Sequence, residues 1–281
     1  VEMNKEEKLK INRRQRIKVL SRIEEYEKKG GEAFWLDVED DPPHPTIMPE
    51  DVDYMQKKLG TRIRARFAMK LAAKLAKKVV KEHEVTVVGA ENLKDIRGGA
   101  VITSNHFSPE ENVAVWEAVK KAEGKRKFFK IIREGNYFFK GTIGYLLRNA
   151  DTLPLSENVK TMMNLSRAVD KYLKEGNFVL VYPEKAMWWN YRKPRPFKIG
   201  AFRYAAKAGV PVVPCFITME DLDKKDENGF PVQKYTVHVM PPIYPSAYKS
   251  EKDNAASMLE KNFELVKNKY EEVYKIPLSY N

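Results

Sequence analysis

One cysteine, Cys215, occurs in 281 residues. A single thiol excludes a disulfide framework and suits a reducing compartment. Long apolar runs are missing as well. No stretch of about 18 uncharged apolar residues is present, so no transmembrane helix is expected. The chain is charged from its start and lacks the apolar core of a signal peptide, which leads us to expect a cytoplasmic protein, bound at most to a membrane surface. No serine has glycine two residues before and two after it, which excludes the nucleophile elbow of α/β-hydrolases. Neither a G-x-G-x-x-G nor a G-x-x-x-x-G-K-[ST] loop exists, against dinucleotide-binding and P-loop folds. The histidines, at 44, 83, 106 and 238, form no metal-ligand spacing with Cys215, so no metal is expected.

Negative charge is in deficit. Lys and Arg number 51 against 39 Asp and Glu, a formal net charge of +12. The excess favours a polyanionic partner: nucleic acid, an anionic bilayer or a charged co-substrate. It is concentrated in residues 57–81, which carry ten Lys/Arg and no Asp/Glu. There Ile63, Phe67, Leu71, Leu75 and Val79 recur every four residues as one slanting helical stripe, flanked by Arg62, Arg66, Lys70, Lys74 and Lys78. Such a helix suits a lipid headgroup layer, or packs its apolar side on the domain. A nucleic-acid-binding protein is the competing reading of the charge. It leaves the residues around His106 and Pro183-Glu184 unexplained.

Upstream, residues 4–29 read as a charged helix stopped by Gly30-Gly31. Residues 37–53 are acidic and proline-rich, a linker or an extended arm. Downstream, strands alternate with helices. Strands are expected near 85–88, 100–103, 128–132, 152–155, 178–182, 210–217 and 235–240. Helices are expected near 109–122, 137–148, 158–174 (with Ser156 as its cap), 200–208 and 251–273. Asn228-Gly229 marks a turn. The pattern predicts an α/β domain over 82–281, a mostly parallel sheet flanked by helices, with residues 1–81 as an N-terminal helical extension facing a membrane.

His106 ends a predicted strand just before a helix, where α/β folds place their active sites. Glu111, five residues on, can fold back to orient the imidazole and stabilise its protonated form, with Glu110 a competitor for that role. Ser104-Asn105-His106-Phe107-Ser108-Pro109-Glu110-Glu111-Asn112 resembles the N-H-x-x-x-x-D motif of the glycerolipid acyltransferase family, whose best-known members acylate lysophosphatidic acid. Three more stretches resemble family motifs in order. They are Val181-Tyr182-Pro183-Glu184, Pro196-Phe197-Lys198-Ile199-Gly200-Ala201-Phe202-Arg203 and Val210-Pro211-Val212-Val213-Pro214-Cys215. Leu146–Leu155 sits where the remaining motif belongs.

The resemblance implies a membrane-associated acyltransferase. A fatty acyl group would move from acyl-CoA or acyl carrier protein, as co-substrate, to a lysophospholipid or related lipid, with no bound cofactor and no nucleic acid. His106 would be the general base and Glu111 its orienting carboxylate. Glu184, Lys185, Lys198, Arg203, Trp188 and Pro214 would shape or line the substrate site, with core packing the alternative for Trp188. The departures are Glu111 in place of aspartate, and Lys185 and Met187 in place of the glycine and arginine that follow the third motif's glutamate. Lys185, Arg192, Lys193 and Arg195 are the cations available to meet a phosphate; otherwise the acceptor lacks a terminal one. A family member that binds lipid without catalysis is the alternative these departures motivate.

Overall fold

Short runs of β-branched and aromatic residues become strands, because such side chains pack on a pleated surface. The computed structural model describes residues 5–122 and 126–280. Among them are β1 (Thr86–Val88), β2 (Ala100–Thr103), β3 (Phe128–Ile132), β4 (Thr152–Pro154), β5 (Phe178–Val181), β6 (Val212–Lys225) and β7 (Pro231–Val239). They form one sheet in the order β1-β7-β6-β2-β5-β3-β4. Neighbours pair in parallel except β6 and β7. The mostly parallel sheet expected from the alternating pattern is therefore present.

The helices are α1 (Lys5–Lys29), α2 (Leu59–Glu82), α3 (Glu91–Lys94), α4 (Glu111–Lys121), α5 (Glu134–Tyr137), α6 (Gly141–Asn149), α7 (Val159–Lys174), α8 (Gly200–Ala208) and α9 (Glu251–Tyr274). Successive strand residues point to opposite faces. Ile102, Leu180 and Val213 pack with Ala114, Val115 and Ala118 of α4 on one side. Val101, Val179 and Val212 pack with α7, α8 and α9 residues such as Leu165, Phe202 and Met258 on the other. Residues buried on both faces explain the near-continuous apolar runs of the central strands.

Two local features depart from the sequence reading, and the extended arm that it offered is present. β6 runs to Lys225, well past residue 217, because its charged outer half pairs with β7 around the Asn228-Gly229 turn. Cross-strand hydrogen bonds hold that hairpin arm where no apolar pattern could signal it. Ser156 does not cap α7: Asn158 does, accepting from the Thr161 N–H at 3.0 Å, while the Ser156 hydroxyl donates to the Ile47 carbonyl at 2.8 Å. Residues 36–58 form an extended arm fastened to the sheet edge. Its Ile47 N–H donates to Glu134 at 2.7 Å, and its Tyr54 hydroxyl donates to the Pro154 carbonyl at 2.7 Å.

α2 turns its alanines inward. Ala65, Ala68 and Ala76 are buried, while Ile63 (43% exposed), Phe67 (63%) and Leu75 (37%) face outward. Small residues let helix and domain approach closely, so the bulkier stripe is left uncovered. α1 packs Val19 and Ile23 against Phe34, Val38 and Trp188. Of the two readings of Trp188, substrate wall and core packing, the structure shows the second: it is wholly buried there and donates its indole N–H to the Leu36 carbonyl at 3.0 Å.

Candidate active site

β2 delivers its chain to residues 104–108, and the loop is pinned before it reaches α4. Asn105 is buried and pairs twice with Ile217 of β6. Its side-chain amide donates to the Ile217 carbonyl at 2.9 Å and its oxygen accepts the Ile217 N–H at 2.8 Å. His106 follows, with 21% of its side chain exposed. Its Nδ1–H donates to Glu111 Oε1 at 2.5 Å. The other Glu111 oxygen accepts the Phe107 N–H at 3.1 Å and also the Ser108 N–H. Glu111 thus reaches the imidazole despite its extra methylene, because the loop's own backbone N–H groups hold the carboxylate. A carboxylate accepts only, so the Nδ1 proton is fixed and Nε2 carries the free lone pair. Glu110 points elsewhere, to His83 Nε2 at 2.9 Å.

Two side chains the sequence reading did not assign to the dyad complete its support. Tyr182 stacks on the His106 ring, centroids 4.0 Å apart and planes 11° from parallel. Burial, and then the Glu111 charge, push its phenol up, so it stays protonated. Arg195, weighed from sequence as a phosphate ligand, is fully buried instead. Its Nη2–H groups donate to Glu184 Oε2 at 2.8 Å, to the His106 carbonyl at 3.3 Å and to the Ala186 carbonyl. Its Nη1 reaches the Phe34 carbonyl at 2.8 Å. Two flanking prolines, Pro194 and Pro196, were the only sequence hint that this arginine stands in a fixed, non-helical segment.

Glu184 is itself 2% exposed. Its Oε2 accepts the His106 N–H at 3.1 Å and its Oε1 the Arg195 N–H at 3.0 Å. It therefore touches the His106 loop rather than open space. Lys185, in the glycine position of the third motif, has φ +68 and is exposed. That left-handed backbone is the conformation a glycine adopts without cost.

The remaining candidates scatter. Pro214 is buried on β6 opposite Thr103, beneath the loop. Lys198 donates its backbone N–H to the Pro183 carbonyl at 2.8 Å, but its ammonium lies 3.4 Å from the centre of the Trp35 ring. Arg203 is exposed on α8. Arg192 pairs with Asp221 at 2.7 Å and Lys193 with Glu27 at 2.5 Å. Burial pushes the Cys215 thiol up to about 12, so it is no nucleophile at neutral pH.

The Glu184–Arg195 pair generates a stability prediction. Removing one partner of a buried ion pair strands the other charge, at a cost of about 3–5 kcal/mol. Arg195→Met alone should lose about that much in urea unfolding. Adding Glu184→Gln should recover part of the loss. Simple addition of the two losses would contradict the pairing.

Residues 84–218 match the family model described as Acyltransferase. No curated protein matches the sequence. Among solved structures the chain is similar to the crystal structure of the 1-acyl-sn-glycerophosphate (LPA) acyltransferase, PlsC, from Thermotoga maritima. Identity is 23%, the TM-score is 0.54, and the match covers 80% of this chain and 87% of that one. The two folds are alike, and the region similar to the Acyltransferase family model encloses the His106 loop, Glu184 and Arg195.

Proposed function

We propose that this acyltransferase moves a fatty acyl group from acyl-CoA or acyl carrier protein to a hydroxyl of a lysophospholipid or related lipid, with His106 as general base. The observation that carries the reading is the His106–Glu111 bond, which commits Nδ1 and leaves Nε2 without a hydrogen-bond partner among the described residues. Nε2 takes the proton of the acceptor hydroxyl as its oxygen attacks the thioester carbonyl carbon. The tetrahedral intermediate then breaks its C–S bond, and the imidazolium returns the proton to the departing thiolate. Glu111 stabilises the imidazolium between these steps. No metal or bound cofactor is needed.

The cations around the third motif bear on the acceptor. Of the four cations, Arg192, Lys193 and Arg195 each pair with a carboxylate of the chain, on Asp221, Glu27 and Glu184, and Lys185 is left exposed with no ion pair among the described residues. That supports an acceptor without a terminal phosphate. Free-thiol release from palmitoyl-CoA, measured against lysolipids with and without phosphomonoester head groups, tests both points. The expected result is release that depends on one lysolipid lacking a phosphomonoester. Preference for lysophosphatidic acid would overturn the acceptor reading, and no release with any acceptor or carrier would overturn the enzyme reading.

The membrane association is a separate part of the proposal. Among the described residues no helix is long and apolar enough to cross a membrane. The outward Ile63, Phe67 and Leu75 of α2, set among lysines and arginines, suit an anionic bilayer surface and a peripheral protein. Changing Lys70, Lys74, Lys77 and Lys78 to Glu should weaken co-sedimentation with phosphatidylglycerol vesicles by about tenfold or more, since each near-surface cation contributes about 1 kcal/mol. Unchanged binding would remove α2 from the membrane contact.

A further inference from the structure

A second histidine–glutamate pair lies beside the first. His83, which follows the last residue of α2, is 7% exposed. Its Nδ1–H donates to the Gln233 carbonyl at 2.7 Å and its Nε2–H to Glu110 Oε2 at 2.9 Å. Both partners can only accept, so both ring nitrogens carry protons and the ring is a cation. It lies flat on Tyr235 of β7, centroids 4.1 Å apart and planes 5° from parallel, where an aromatic face favours positive charge. The same Tyr235 meets Phe107 of the His106 loop edge-on at 5.2 Å. The groups that face His83 are Glu110 from the start of α4, Glu82 beside it on α2, and the Gln233 carbonyl and Tyr235 ring from β7.

Glu110 and Glu111 are consecutive, and either carboxylate is chemically able to pair with an imidazole. In the structure they are divided between two histidines. We propose that His83 is a positioning residue for the base: its cation holds Glu110 away from His106, so that Glu111 alone sets the charge beside the catalytic imidazole. Burial works against the His83 cation, and the hydrogen bonds to Glu110 and Gln233 outweigh it and raise its pKa. The cation therefore persists toward neutral pH, where a base is needed.

The inference rests on the assignment of His106 as the base, but its test does not need turnover. With four histidines in the chain, each ring can be followed by 1H–13C NMR as pH is varied. His83→Gln leaves Glu110 as an uncompensated anion near His106. The His106 midpoint should rise by about half a pH unit, because an added negative charge favours the imidazolium. His83→Lys keeps a cation and should leave the midpoint near that of the unaltered protein. His83→Gln with Glu110→Gln removes both charges and should bring it back. A merely structural role for His83 would not be rescued by the second substitution. An unmoved His106 midpoint in folded His83→Gln, or failure of the double variant to restore it, would overturn the proposal. If His83→Gln does not fold, Glu110→Gln decides: the His83 midpoint should fall, because the carboxylate that raises it is gone, and an unmoved His83 would overturn the pairing. Absence of thiol release from the unaltered protein alongside these shifts would count against the acyltransferase reading and not against this one.

Discussion

Both oxygens of Glu184 are taken inside the protein, and the rest of the site depends on where they go. One meets the Arg195 N–H and the other meets the His106 N–H and the Arg195 guanidinium. Through Arg195 the link extends to Phe34, ahead of the sheet in the chain. Three stretches distant in sequence are thereby joined around one buried ion pair. A buried pair contributes little net stability against an apolar substitute, but each charge is costly without its partner. The arrangement therefore fixes geometry. The proposed reaction needs His106 held at a set angle to Glu111, and a geometric constraint serves that need.

Within that frame the dyad follows from local chemistry. Glu111 opens α4, and its carboxylate accepts two loop N–H groups as well as the imidazole. Tyr182 restrains the ring from its face and Asn105 anchors the loop to β6. His106 is thus held from the side of Nδ1, from its ring face and through its backbone. The neighbouring His83–Glu110 pair adds an electrostatic layer, and it sits where α2 ends. The helix read as membrane-facing and the start of α4, just past the loop that carries the proposed base, therefore meet at a part-buried contact.

Much of the fold was legible because it rests on periodicity. Ala100–Thr103 and Phe128–Ile132 were read to their ends, and the helices over 200–208 and 251–273 nearly so, since burial on a regular face leaves a repeating pattern. The outer half of β6 was not, because Glu220–Lys225 are held by backbone pairing and carry no apolar signal. His106 and Glu111 were legible from spacing and family likeness together. Arg195 and the placement of Trp188 were not. An arginine's partner depends on which carboxylate tertiary packing brings near, and a tryptophan reads alike in a core or on a wall. On α2 the apolar stripe was correctly seen, but the buried face is made of alanines, whose small size gives little periodic signal.

In the proposed reaction His106 removes the acceptor's proton. The most direct measurement compares acceptor-dependent thiol release by the unaltered protein and His106→Ala, with far-ultraviolet circular dichroism to show that both are folded. A positioned general base accounts for about 10²–10⁴-fold in rate, so the variant should lose at least that lower factor while its affinity for anionic vesicles stays the same. Undiminished release by folded His106→Ala would contradict the account.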